Sequence, residues 1–222
     1  VNNGQGAHCS GVMIGPKLAV TAAHCLWNRR TRAPMPVSSL VFVAGWEKGQ
    51  YLAASRVAKA HTAPGWSFTE AYGPAPASHD WALLELEEPL GAQVGWIGLG
   101  DGPVAGAPVV TVGYGQDRPH VPTAHIGCHV TARRPEGLFL HDCDAVHGDS
   151  GGPVMAWRDG GLRLVAIHVA TLSSVQRVDG GAVGVQAFAD AARRLGAAAD
   201  TRPGSLSRPA TMDLGQRLGT GG

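Results

Sequence analysis

The run Gly148-Asp149-Ser150-Gly151-Gly152-Pro153, inside the stretch from Asp142 to Trp157, constrains this chain more than any other. Glycines on both sides of one serine let the backbone take φ values that other residues avoid. A tight loop of that kind can aim successive amide N–H groups inward, as a nest for an anion. A serine there has its hydroxyl beside a donor pocket, which is what acyl transfer by a serine nucleophile requires. Taken alone, the run also reads as a glycine-rich turn ahead of a strand over Pro153–Trp157.

A serine hydroxyl is a poor nucleophile without a base, and the base needs an acid to orient it. Two further stretches offer them. Leu18-Ala19-Val20-Thr21-Ala22-Ala23-His24-Cys25 is an apolar strand running into a histidine. Ser78-His79-Asp80-Trp81-Ala82-Leu83-Leu84-Glu85-Leu86 puts an aspartate at the mouth of another apolar strand. TAAHC, HDWALLEL and GDSGGP, in the chain order His, Asp, Ser, resemble the trypsin-like (chymotrypsin-fold) serine proteases; other serine hydrolases use other orders. The resemblance runs from about Cys9 to Phe188. CSGVMIGPKLAVTAAHC, and a cysteine just before the serine loop, look most like the bacterial branch related to glutamyl endopeptidases.

The resemblance implies an all-β chain of two packed six-stranded antiparallel β-barrels with a C-terminal helix, and an active site in the cleft between them. The expected divisions are a first barrel over residues 1–92, a crossover over 93–107, a second barrel over 108–186, a helix over 187–199 and a disordered tail over 200–222. Within the first barrel, strands are expected over His8–Ile14, Lys17–Ala22, Leu40–Ala44, Gln50–His61 and Trp81–Leu86, and Trp27–Ser39 reads as loop. Abundant glycine and proline, with little helical periodicity before Ala187, fit short strands and turns.

Composition narrows the partners. The chain of 222 residues is 44% apolar and 16% charged, so a substantial core is possible. A formal net charge of +1 with no basic block gives no reason to expect nucleic acid or an anionic membrane surface. No apolar run reaches the length of a membrane span. Val1 opens in polar sequence without a leader-like segment, as a processed or truncated chain would. The expected partner is a polypeptide substrate, the expected state a monomer, and no cofactor is expected.

Cys9, Cys25, Cys128 and Cys143 are even in number, which fits disulfides and an oxidising, secreted or periplasmic location, with three pairings open. The resemblance selects Cys9–Cys25 and Cys128–Cys143. A competing reading is zinc: His125-x-x-Cys128 and His141-x-Cys143-x-x-x-His147 have usable ligand types and spacings. That reading leaves Cys9 and Cys25 unexplained, and no metal site is expected.

By resemblance, Ser150 is the nucleophile, His24 its general base and then acid, and Asp80 the group that holds the ring. The N–H groups of Gly148 and Ser150 form the oxyanion hole. In trypsin itself a freed amino terminus pairs with the aspartate before the nucleophile, here Asp149. Seven residues separate Val1 from Cys9, so that reach is not expected, and Asp149 needs another partner.

Substrate choice falls on the strand from Leu164 to Thr171, which matches the edge that pairs with bound peptide. His168 stands where glutamyl endopeptidases place a histidine against an acidic side chain. Many relatives follow that position with a serine, where this chain has Val169. Ala145 takes the place of a hydroxyl residue, and Asp144 stands where trypsin selects arginine or lysine. His168, Asp144, Ala145, Val169 and Thr171 are thus the candidate pocket residues, and the acidic reading is preferred over the basic one. The alternative to an endopeptidase is a non-catalytic protease-like binding protein. An esterase or acyltransferase on the same site is a third reading.

Overall fold

The fold is described from a computed structural model, for residues 8–68, 77–173, 178–205 and 210–211. In the first half, β1 (Val12–Met13), β2 (Leu18–Thr21), β5 (Val41–Ala44), β7 (Ala53–Thr62) and β8 (Ala82–Leu86) form one antiparallel sheet in the order β1-β2-β8-β7-β5. Two short strands, β3 (Trp27–Asn28) and β4 (Ala33–Pro34), make a hairpin inside the stretch read as loop. A further piece, β6 (Gln50–Tyr51), precedes β7.

The alternation of side chains along β2 and β8 explains how one sheet serves two cores. Successive residues of a strand point to opposite faces. Ala19, Ala82, Leu84 and Leu86 pack inside the first half with Phe42, Leu40 and Val57. Leu18, Val20 and Leu83 pack on the other face, in a cluster shared with Leu138, Ile167 and Phe188 of the second half. Both faces are covered, which is why these two strands read as continuous apolar runs.

The second half holds a closed six-stranded barrel. After β9 (Gly95–Trp96) come β10 (Pro108–Gly113), β11 (Thr123–Arg133), β12 (Leu138–His141), β13 (Pro153–Arg158), β14 (Gly161–Ser173) and β15 (Val178–Gly184). They close in the order β10-β11-β12-β15-β14-β13, around Val109, Val130, Phe139, Val154 and Val165.

Three expectations need correction. The first half is a five-stranded sheet and not a six-stranded barrel, and the strand expected over Gln50–His61 is split, Ala53–Thr62 staying in the sheet while Gln50–Tyr51 pairs with β17 (Ala210–Thr211). The C-terminal helix spans Ala189–Arg194, shorter than the 187–199 expected. A 3-10 turn over Val185–Ala187 precedes it, and Gly196, at φ 95°, ends it with Ala197 N–H returning to Ala192 O.

The third correction concerns the tail expected to be disordered over 200–222. Its first part is folded. Strand β16 (Arg202–Pro203) pairs with β9, Thr201 Oγ accepts Gly98 N–H and donates to Leu162 O, and Arg163 meets Asp200 at 3.1 Å. Sequence periodicity missed this because the segment is held by hydrogen bonds at polar residues, not by an apolar stripe. Residues 206–209 and 212–222 lie outside the described residues.

Candidate active site

The sharp end of β2 positions the histidine. After Thr21 the chain turns through a 3-10 helix over Ala23–Leu26, which leaves His24 partly open while Ala23, Cys25 and Leu26 are buried. A turn closed by Asp80 N–H to Ala77 O brings Asp80 to the mouth of β8, the strand paired with β2. The aspartate is 0% exposed and meets the histidine twice. Its Oδ1 accepts the His24 backbone N–H at 2.8 Å, and its Oδ2 faces His24 Nδ1 at 2.5 Å. A carboxylate can only accept, so Nδ1 carries a proton, and in the neutral ring Nε2 then presents a lone pair.

Ser150 belongs to the other half and is half-buried. Its loop is stitched internally: Asp149 N–H donates to Val146 O, Val146 N–H to Asp149 Oδ2 at 2.9 Å, and Gly152 N–H to Asp149 O at 2.8 Å. Asp149 therefore takes Val146 N–H as a partner. Burial pushes its carboxyl above the ordinary value, against the lowering effects of that bond and of nearby His125.

The loop is docked onto the histidine strand at Gly151. This residue has φ 83°, and a Cβ there would overlap Thr21 Oγ1 and Ser10 O and reach Ala22 N at 2.8 Å. The residue after the serine thus packs against backbone two residues before His24. Ser10 completes the seam: its N–H donates to Ser150 O at 2.8 Å, and its hydroxyl donates to Gly148 O at 2.9 Å while accepting Tyr114 N–H at 2.8 Å. Among the described residues, the N–H groups of Gly148 and Ser150 donate to no protein acceptor.

The disulfides are Cys9–Cys25, bridging the two sides of β1–β2 beside His24, and Cys128–Cys143, anchoring β12 and the approach to the serine loop. This is the pairing implied by the resemblance. All four sulfurs are engaged, which removes the thiolates on which the zinc reading depended.

His168 lies against the same loop: its carbonyl accepts Gly151 N–H at 2.7 Å and its N–H donates to Gly152 O at 2.9 Å. Its ring lines a small pocket together with Thr111, His125, His141, Asp144 and Ala145. Thr171 reaches the rim, where its hydroxyl donates to Ala145 O at 3.5 Å. Val169 does not line the pocket. It is buried in the cluster that holds Ala22 and Trp81, neighbours of the histidine and aspartate.

Two residues of this pocket, His125 and His141, were read from sequence only as possible zinc ligands. His141 Nε2 lies 3.1 Å from His168 Nδ1, both rings being buried. Its ring fits because β15 offers Gly180 opposite it, where any Cβ would overlap the imidazole. Burial lowers His141 to about 4. Burial lowers His168 to about 3, helped by the adjacent His141 and by His24. The signal available in the sequence was a histidine ending the otherwise apolar run Leu138–Leu140.

Comparison with known proteins agrees with this construction. A solved structure described as a Glu endopeptidase in complex with MPD superposes with a TM-score of 0.70, at 20% identity, over 88% of this chain and 87% of that one. Among the described residues no helix is long and apolar enough to cross a membrane. The family model described as Trypsin matches residues 1–192, most of the chain, so the chain belongs to the trypsin family and is a trypsin-like serine endopeptidase of the chymotrypsin fold, resembling the glutamyl endopeptidases.

Proposed function

We propose that this protein cleaves polypeptides through an acyl-enzyme on Ser150, in a cleft between its two halves. The observation that supports this reading is the two-point grip of buried Asp80 on His24, together with the packing of Gly151, the residue after Ser150, against Thr21 and Ala22 on the chain leading to His24. His24 Nε2 takes the Ser150 proton as Oγ attacks the carbonyl carbon. The oxyanion is met by the N–H groups of Gly148 and Ser150. His24 then gives its proton to the leaving amine, and a water molecule, deprotonated by the same ring, releases the acyl group. Asp80 fixes the ring and stabilises its charged form throughout.

The preferred side chain on the acyl side of the cleaved bond is acidic. With His141 Nε2–H donating to His168 Nδ1, His168 carries its proton on Nε2 and offers it to a carboxylate. Exposed Asp144 on the same pocket supports a second reading, in which a basic side chain is bound. Two disulfides fit a secreted or periplasmic enzyme, acting as a monomer.

A fluorophosphonate probe tests the nucleophile: it labels the wild type and not Ser150→Ala. Equal labelling of both, or of neither, would overturn the reading, and no labelling would favour the binding-protein alternative. A mixed peptide library tests the pocket, with cleavage expected after Glu or Asp and lost in His168→Ala. Cleavage after Arg or Lys that disappears in Asp144→Ala would establish the basic reading instead.

A further inference from the structure

Ser10 is 3% exposed and uses every hydrogen-bonding group it has, its N–H and hydroxyl across the seam between the halves and its carbonyl on β2. Its hydroxyl sits between Tyr114 N–H and Gly148 O, its N–H holds Ser150 O, and its carbonyl accepts Thr21 Oγ1–H at 2.7 Å. The two carbonyls it grips, Gly148 and Ser150, bracket the peptide units from Gly148 to Gly151. A peptide unit is planar, so fixing a carbonyl fixes the N–H on its far side. Gripping Gly148 O sets the plane that leads into Asp149, and gripping Ser150 O sets the one that leaves the serine. Between those two fixed planes lie the φ and ψ angles of Asp149 and Ser150, which aim Ser150 N–H, and the Gly148 ψ just ahead of the first plane adjoins the other donor.

We infer that Ser10 is a positioning residue that presets the oxyanion hole, an inference that rests on the endopeptidase reading above. Oxyanion stabilisation depends on donors being aimed before charge develops. Ser10 meets that need from outside the loop, and its carbonyl ties it to Thr21 at the end of β2, the strand that leads to His24. It therefore sets the donors and the base in one frame. Without the hydroxyl, Gly148 O and Tyr114 N–H lose their shared partner, and the loop gains freedom at the plane nearest the hole.

Ser10→Ala, purified with both disulfides intact, is expected to lose about tenfold or more in kcat with KM within about twofold of wild type, since the interaction matters most in the transition state. A loss of general packing would not confine itself to kcat. A 13C-labelled peptidyl trifluoromethyl ketone gives a second readout: Ser150 Oγ adds to its carbonyl, and the hemiketal hydroxyl ionises. In Ser10→Ala that ionisation is expected at higher pH than in wild type. Unchanged kcat, or an unchanged hemiketal titration, overturns the inference. If Ser10→Ala does not fold, Thr21→Val loosens Ser10 from its carbonyl side; a lower kcat at constant KM supports the role, and wild-type kcat overturns it. A wild-type protein that forms no adduct overturns the nucleophile reading itself, whereas a wild-type adduct matched by Ser10→Ala overturns only the role of Ser10.

Discussion

His141 stands directly behind His168, Nε2 to Nδ1 at 3.1 Å, with both residues buried. Burial leaves them titrating at about 4 and about 3, well below the ordinary histidine value. Near neutral pH His168 is therefore neutral, so on the acidic reading proposed above it would meet a substrate carboxylate as a neutral donor and not as a cation.

This has a kinetic consequence. The pH dependence of kcat/KM reports groups of the free enzyme and free substrate. The ratio of kcat/KM for a Glu peptide over its Gln counterpart should be flat between about pH 6 and 8. A ratio that falls steadily through this range would show a charged histidine reading the pocket.

The same pair shapes stability. A histidine whose folded value lies below its unfolded one binds fewer protons in the native state, so stability rises with pH across the interval between the two. Folding should thus weaken as pH drops from about 6.5 towards 4, the unfolded histidines taking up protons that the folded ones refuse. Melting temperatures over this range should show the slope. His141→Gln should make it shallower, and an unaltered slope would place the effect elsewhere.

Asp80→Asn tests the grip on His24. The amide has one accepting oxygen for two donors, His24 N–H and Nδ1–H. Steady-state kinetics should show kcat reduced on the order of 10⁴-fold with KM little changed. A loss of tenfold or less would mean that ring orientation is secured by other contacts.

Truncation after Ala199 removes the pairing of β16 with β9, the Thr201 bridge and the Arg163–Asp200 contact. At about 1 kcal/mol for each lost hydrogen bond, the melting temperature should fall by roughly 5–10 °C. A cut after Ser205 should cost less. Equal melting curves for full-length protein and the shorter truncation would show that the segment contributes little to stability.

The parts of the candidate site that could be read from the sequence are those whose context is local. His24 follows its own strand, Asp80 precedes its own, and Ser150 lies in its own glycine-rich loop, so chain order and flanking residues sufficed to expect them together. The role of Ser10 was illegible because its hydroxyl bonds reach across 104 and 138 residues. His141 reads locally as a buried strand end or a metal ligand. Only the register of β12 on β15, and of β15 on β14, sets it behind His168. The departure of Gln50–Tyr51 from the first sheet was missed for a similar reason, since its partner lies more than 150 residues away.

The late strands also decide how this chain could be divided. Cut at the turn around Gly106, it would yield two fragments that are not self-contained. The carboxyl-terminal piece would carry β16, whose partner β9 belongs to the other fragment, along with Ala198, whose N–H is spoken for by Ile14 O. Each fragment would hold an edge that only the other completes. The pair is thus suited to a split reporter: two inert polypeptides whose recombination rebuilds a hydrolytic centre, with the donated strand serving as the clasp.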